Sequence, residues 1–149
     1  MLNSTERDRV RANTVPAANR RIDEQIERNI RYYSGRSTEE ISRRIRELEQ
    51  EWDIERVLEA LAASFSLTGM ILGTTVNKRW FFFPPIVLSF LLLHAIQGWC
   101  PPVPVLRRLG IRTREEIERE RYALKALAGD FGTISKEVGG AEQILAAVK

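Results

Sequence analysis

The sequence predicts an all-α protein in which a two-span membrane helical hairpin is flanked by amphipathic cytoplasmic helices. Three observations predict this fold class: charges are segregated along the chain, two long uncharged runs lie in its middle, and apolar residues recur at helical spacing on both sides. Residues 1–56 hold 12 basic and 12 acidic side chains, and residues 101–149 hold 9 and 7. Between them only Glu59, Lys78 and Arg79 are charged. A soluble helical domain would instead place polar and apolar residues on opposite faces of each helix.

The two uncharged runs, residues 60–77 and residues 80–106, predict the membrane spans. A hydrocarbon core of roughly 30 Å needs about 20 mostly apolar residues in a helix. Residues 57–76 meet this length, and the whole hairpin is predicted over residues 57–106. Trp80 and Trp99 bracket the second span, and tryptophan favours membrane interfaces. Pro84 and Pro85 fit the first turn of its helix.

The distribution of basic residues predicts that both termini are cytoplasmic. Residues 37–56 and residues 101–120 carry nine arginines beside the spans, whereas the connecting loop carries only Lys78 and Arg79. Positive charge is retained on the cytoplasmic side. Four of the arginines are candidates for contacts with lipid phosphates or for orienting insertion: Arg107, Arg108, Arg112 and Arg114.

Small residues form a stripe on the first span: Ala62, Ser66, Gly69 and Gly73. Their 4-3-4 spacing places them on one helix face, where two backbones can approach closely. The stripe predicts helix packing, either against the second span of the same chain or against another copy.

Amphipathic helices are predicted before and after the hairpin. Residues 17–56 form a cytoplasmic helical hairpin, whose second helix begins at a capping box at Ser37 and continues towards the first span. Residues 1–16 are expected to be a flexible N-terminal segment, and residues 107–149 a cytoplasmic helix and tail.

Composition excludes several kinds of chemistry. The single cysteine, Cys100, rules out an intramolecular disulfide framework and a cysteine-rich zinc site. The single histidine excludes mechanisms that need two. A net charge of +3, mixed with many carboxylates, does not indicate nucleic acid. We predict no metal and no cofactor.

Three residues are weak candidates for chemistry. Cys100, at the predicted membrane edge, is either a thiol that carries sulfur, takes an acyl chain or ligates a metal, or a small buried apolar residue. His94, inside the second span, is either a cofactor ligand or hydrogen-bonded to Ser66 or Thr68. Glu59 either pairs with Arg107 or Arg108 when the hairpin closes or takes part in a proton relay.

One stretch resembles a known family. Gly98-Trp99-Cys100-Pro101, followed by Leu109-Gly110-Ile111-Arg112-Thr113, is similar to the end of small bacterial inner-membrane two-helix domains of unknown function. The membrane tail of YgaP-type rhodaneses belongs to this family, and Glu55-Arg56 resembles its opening. The resemblance covers about residues 55–113. It implies a two-helix hairpin in a bacterial inner membrane, and it implies little about activity because the sulfur-carrying cysteine of the rhodanese lies in a separate soluble domain.

These features predict a small integral inner-membrane protein that is not an enzyme. We expect a scaffold or accessory subunit that contacts membrane lipids and forms a homo-oligomer or part of a larger membrane complex. Two alternatives stay open: a membrane thiol or sulfur-relay module that uses Cys100, and a cofactor-holding accessory subunit that uses His94.

Overall fold

The computed structural model describes residues 8–129, and its ordered elements are all helical. No strand occurs in this part of the chain, which confirms the all-α class. The predicted C-terminal tail beyond residue 129 lies outside the described residues. The helices are α1 (Arg9–Ala12), α2 (Pro16–Tyr33), α3 (Thr38–Gln50), α4 (Ile54–Thr75), a 3₁₀ helix (Lys78–Phe82), α5 (Phe83–Gln97), α6 (Val103–Arg108) and α7 (Arg114–Ala128).

Two helical stretches, Thr38–Thr75 and Lys78–Gln97, each contain a segment that is long and apolar enough to cross a membrane. The first stretch is interrupted at residues 51–53, and its apolar part is α4. α4 has 22 residues, or about 33 Å at 1.5 Å per residue. α5 has only 15, but the 3₁₀ helix runs directly into it. Its Pro84 and Pro85 lie in the first turn, where their missing N–H groups cost no hydrogen bond.

The chain divides into two compact units. The first contains the residues up to Asp23 and Trp52–Glu115, and therefore holds α1, α4, α5 and α6. Its core lies beside the first turns of α4 and is formed by Val10, Ile54, Leu58, Cys100, Val103 and Leu106. α4 also packs against α5 and the 3₁₀ helix within this unit.

The second unit contains Glu24–Glu51 and the residues from Glu116 onwards. Its core is formed by Ile41, Ile45, Leu48, Ile117 and Leu124. The capping box at Ser37 is present, since Ser37 Oγ accepts from the Glu40 amide and Glu40 accepts from the Ser37 amide.

The expected continuation of α3 into the first span is wrong. α3 ends at Gln50, and α4 begins at Ile54 with the Asp53 side chain accepting from the Arg56 amide. The Ile54 amide donates to the carbonyl oxygen of Arg112 at 2.9 Å. The break therefore satisfies the exposed amides at the start of α4 with a side-chain cap and a tertiary hydrogen bond.

Candidate functional site

A polar cleft of about 520 Å³ lies in the first unit, beside the first turns of α4 and the last turn of α5. Its ionisable lining residues are Asp8, Arg9, Glu55, Glu59, His94, Arg114 and Glu115. Glu55 and Glu59 stand one turn apart on α4, and His94 is in the last turn of α5. Four carboxylates, two guanidinium groups and one imidazole therefore line the cleft.

The segment around α1 closes the C-terminal end of α5. The Arg9 guanidinium donates to the carbonyl oxygens of Ala95 at 2.7 Å and Ile96 at 3.3 Å. The Asn13 side-chain amide donates to the Gln97 carbonyl oxygen at 2.8 Å. The last carbonyls of a helix lack partners within the helix, and a cation there also complements the helix dipole.

Gly98 makes this approach possible. Its φ of 75° is left-handed, and its amide donates to the His94 carbonyl oxygen. A Cβ at this position would lie 2.5 Å from Arg9 Cβ and 2.7 Å from the Arg9 carbonyl carbon. Position 98 therefore requires glycine for two reasons: the left-handed backbone conformation and the space that Arg9 occupies.

Asp8 links the start of α1 to the chain before α7. Thr113 Oγ1 donates to Asp8 Oδ2 at 2.5 Å, and the Arg11 amide donates to Asp8 Oδ1 at 2.9 Å. Asp8 and Thr113 are both buried. The Asp8 carboxylate therefore already has partners on both oxygens.

Residues 8–15 were part of the segment expected to be flexible. Their contacts with α5 and with Thr113 could not be deduced from local sequence, because the partners lie more than 80 residues away. The one local signal is Asp8 itself, which is a favoured N-cap residue.

Three cleft acids have side chains without a hydrogen bond or ion pair within residues 8–129, and all three are exposed: Glu55, Glu59 and Glu115. The expected pairing of Glu59 with Arg107 or Arg108 is not formed. Arg107 is instead buried, and it donates to Asn19 Oδ1 at 2.8 Å and to the Ile111 carbonyl oxygen at 3.1 Å.

His94 is 8% exposed, and its Nδ1 has no hydrogen-bond partner among the described residues. The hydrogen bond expected from Ser66 or Thr68 is absent from this part of the chain. Thr68 Oγ1 donates to the Ser64 carbonyl oxygen of its own helix, and Ser66 Oγ is itself buried without a partner there. Among the described residues no group of three His, Cys, Asp or Glu side chains could hold a metal ion.

Cys100 is buried in the core of the first unit and is 3% exposed. Burial raises the pKa of its thiol, and a hydrogen bond with the Val103 backbone opposes this only in part. The reactive form of a cysteine is the thiolate. The burial of Cys100 therefore favours its interpretation as a small apolar core residue over its interpretation as a sulfur carrier.

The small-residue stripe faces the same chain. A Cβ on Gly69 would lie 2.8 Å from Pro84 Cδ, and one on Gly73 would lie 2.9 Å from a ring carbon of Phe81. Ala62 is also buried, whereas Ser66 is half-buried. The two glycines therefore serve packing of α4 against the 3₁₀ helix and α5.

The arginines considered for lipid contact fall into two pairs. Arg107 and Arg112 are 1% and 3% exposed, so they are not placed to reach lipid phosphates, whereas Arg108 and Arg114 are exposed. Arg107 donates to Asn19 Oδ1, and the Arg112 carbonyl oxygen accepts from the Ile54 amide.

The remaining family-motif residues have mainly local roles. Trp99 and Leu109 are exposed, Pro101 follows Cys100 in the turn before α6, and Ile111 packs on the first core. Gly110 has a φ of 86° in the turn after α6.

The sequence matches no protein-family model, and comparisons with curated proteins and with solved structures find no match. The resemblance to the small inner-membrane domains stays a prediction that rests on the residues quoted above.

Proposed function

We propose that this protein is a non-catalytic, two-span inner-membrane protein whose helical hairpin anchors a set of cytoplasmic helices for assembly. Both termini lie in the cytoplasm, and the 3₁₀ turn lies on the opposite side. The assembly is with other copies of the chain or with a larger membrane complex.

The observation that carries the proposal is the exposed apolar surface of α4 and α5. Only 22% of the most apolar stretch of the first helix and 11% of that of the second is buried. The core helix of a soluble protein would be mostly buried, and soluble monomers rarely expose apolar patches larger than a few hundred Å². The exposed large apolar residues here include Phe65, Leu67, Met70, Ile71, Ile86, Leu88, Phe90, Leu92 and Ile96.

Five hydroxyl groups on the same helices donate to backbone carbonyl oxygens of their own helix, whereas Ser66 Oγ has no partner among the described residues. Ser64, Thr68 and Thr75 each donate to the carbonyl oxygen four residues earlier, and Ser89 does so on α5. Thr74 donates to the carbonyl oxygen of Ile71, three residues earlier. Their hydrogen bonds are thus satisfied without water, as a helix in hydrocarbon requires.

Alkaline carbonate extraction of membranes from expressing cells tests the anchor. The chain should stay in the membrane pellet, because about 40 residues of apolar helix cannot be released by breaking ionic contacts. Recovery of the chain in the carbonate supernatant would contradict the proposal.

Native mass spectrometry after gentle extraction tests the assembly. We expect multiples of 17.1 kDa or co-purifying chains, and a companion chain would identify the complex. A monomer with no companion at physiological expression levels would contradict the scaffold role.

A further inference from the structure

The short helix α6 has two apolar sides, and only one of them is covered. Val103 and Leu106 are buried in the core of the first unit, together with residues from the first turns of α4. Val105 and Leu109 lie on the other side of α6 and are 57% and 74% exposed. A helix this short is not stable alone, so its covered side holds it in place and its other side stays exposed.

The position of α6 is set by the two apolar helices. Its buried side packs beside the first turns of α4, where the first apolar helix begins. Only residues 98–102 separate α6 from the end of α5. Trp99 lies in this connection and is exposed, and tryptophan favours the boundary between hydrocarbon and water. In the proposed orientation, α6 is therefore level with the cytoplasmic ends of both spans.

The exposed side of α6 adjoins an apolar groove between α4 and α5. The groove has a volume of about 240 Å³, and its lining includes exposed apolar residues of both helices: Phe65, Ile86 and Phe90. Pro102 also lines the groove and precedes the first turn of α6 in a helical conformation. Val105 and Leu109 share a helix face with Pro102, because their spacing is i, i+3, i+7. The apolar surface of the hairpin and the exposed side of α6 therefore meet at Pro102.

The charge beside this surface complements the phosphate groups of lipids. Arg108 is exposed in the last turn of α6 and has no ion pair or hydrogen bond from its side chain within the described residues. No acidic residue occurs in the sequence between Glu59 and Glu115. Arginine can lay its apolar stem along apolar surface while its guanidinium group stays among polar groups. An apolar face with an adjacent arginine therefore fits a lipid surface better than it fits water.

We propose that α6 is an interfacial helix. Val105 and Leu109 insert among the lipids of the cytoplasmic leaflet, and Arg108 pairs with their phosphate groups. Helices of this kind bind through buried apolar area and through attraction to anionic lipids. The inference rests on the proposed function, since it requires that the end of α5 lies at the cytoplasmic surface. It adds a third membrane contact, which holds the core of the first unit against the lipid headgroups.

Fluorescent labels report the surroundings of the exposed side of α6. Val105→Cys and Leu109→Cys, each in a full-length Cys100→Ala chain, are labelled with a small fluorophore and placed in lipid nanodiscs. A nitroxide on the lipid headgroup quenches labels at the interface, and iodide quenches labels in water. Leu88→Cys, at an exposed position of α5, is the reference for lipid, and the glutathione conjugate of the fluorophore is the reference for water.

We expect both labels on α6 to be in the interface. Iodide should quench them at least threefold less than it quenches the glutathione conjugate. The headgroup nitroxide should quench them more strongly than it quenches the label at residue 88, which lies deeper in the proposed span. Because Val105 and Leu109 are exposed, the two substitutions leave the core of the first unit intact.

Native mass spectrometry tests the role of Arg108, with phosphatidylglycerol and phosphatidylcholine as the probes. Arg108→Gln should lower the affinity of the full-length chain for phosphatidylglycerol relative to phosphatidylcholine about fivefold, the factor expected for one basic residue near an anionic surface. Arg108→Lys should keep the preference. Arg28→Gln removes the same charge from an exposed ion pair on α2 and should leave the preference unchanged, so it is the matched control.

Three results would overturn the proposal. The first is iodide quenching of residues 105 and 109 equal to that of the glutathione conjugate. The second is protection of both labels from iodide and from the nitroxide, which would show that a protein partner covers this side. The third is an unchanged lipid preference in Arg108→Gln. The label at residue 88 separates the two proposals: if the lipid protects it from iodide, only the interfacial helix fails, and if iodide reaches it, the proposed membrane hairpin fails as well.

Discussion

The backbone of Arg9 lies directly against Gly98, so close that a Cβ on residue 98 would meet the Arg9 carbonyl carbon at 2.7 Å. The same arginine donates to the carbonyl oxygens of Ala95 and Ile96. The chain before α2 is thereby fixed to the end of α5, and this contact forms one wall of the polar cleft.

Gly98→Ala should therefore destabilise the first unit and release residues 8–13 from α5. The left-handed conformation alone costs a residue with a Cβ about 1–2 kcal/mol, and the clash with Arg9 adds to this. Gly110→Ala is the matched control, since Gly110 has a φ of 86° and nothing within 4 Å of its Cβ position. Thermal unfolding in detergent compares the two variants, and equal losses of stability would show that the Arg9 contact is absent.

Replacing both Gly69 and Gly73 by Leu should disrupt packing of α4 against the 3₁₀ helix and α5. Overpacking of this kind costs about 1–3 kcal/mol for each site. We expect the thermal midpoint to fall, whereas Gly35→Leu, with open space around its Cβ position, should leave it nearly unchanged. An unaltered midpoint and oligomer size in the double variant would contradict the packing role.

Cys100 should react slowly with iodoacetamide at pH 7. Because burial raises the pKa of its thiol, the thiolate fraction at pH 7 is lower than for an exposed cysteine, and the side chain is also 3% exposed. A Cys100→Ser/Ser34→Cys variant provides an exposed thiol for comparison. Labelling of Cys100 in the folded chain at the rate of that control would support the thiol-relay alternative.

Glu120→Ala should destabilise the second unit. Glu120 is 0% exposed, and its Oε1 accepts from Asn29 at 3.0 Å and from Arg44 Nη2 at 3.0 Å. Removing one partner of a buried ion pair costs roughly 3–5 kcal/mol, and the lower end applies because the Arg44 side chain is 19% exposed.

Hydrogen exchange measures this effect, and amides of α3 and α7 should lose protection. Glu24→Ala, at an exposed surface pair 3.7 Å from Arg28, serves as the control. Unchanged protection in Glu120→Ala would show that the buried pair does not stabilise this unit.

Local sequence was sufficient where the signal lies within a few residues. The helical class, the two apolar helices and the capping box at Ser37 all follow from short-range patterns, and the structure contains each of them. Pro84 and Pro85 likewise fall in the first turn of α5, where proline is tolerated.

Features that depend on distant partners could not be deduced. The break between α3 and α4 rests on a hydrogen bond from Ile54 to Arg112, and the burial of Arg107 rests on Asn19, 88 residues away. The polar cleft combines residues from the start of α1, from α4, from α5 and from the start of α7. The sequence identifies His94 and Glu59 as candidates, but the hydrogen-bond and ion-pair partners predicted for them are not their partners in the structure.

We propose that the chain crosses the membrane twice with both termini in the cytoplasm. Single cysteines introduced by Ser37→Cys and by Lys78→Cys in a Cys100→Ser background test it, using a membrane-impermeant maleimide on spheroplasts. We expect labelling of residue 78 in intact spheroplasts, and labelling of residue 37 only after the membrane is opened. Labelling of residue 37 from outside, or protection of residue 78 until lysis, would contradict the hairpin.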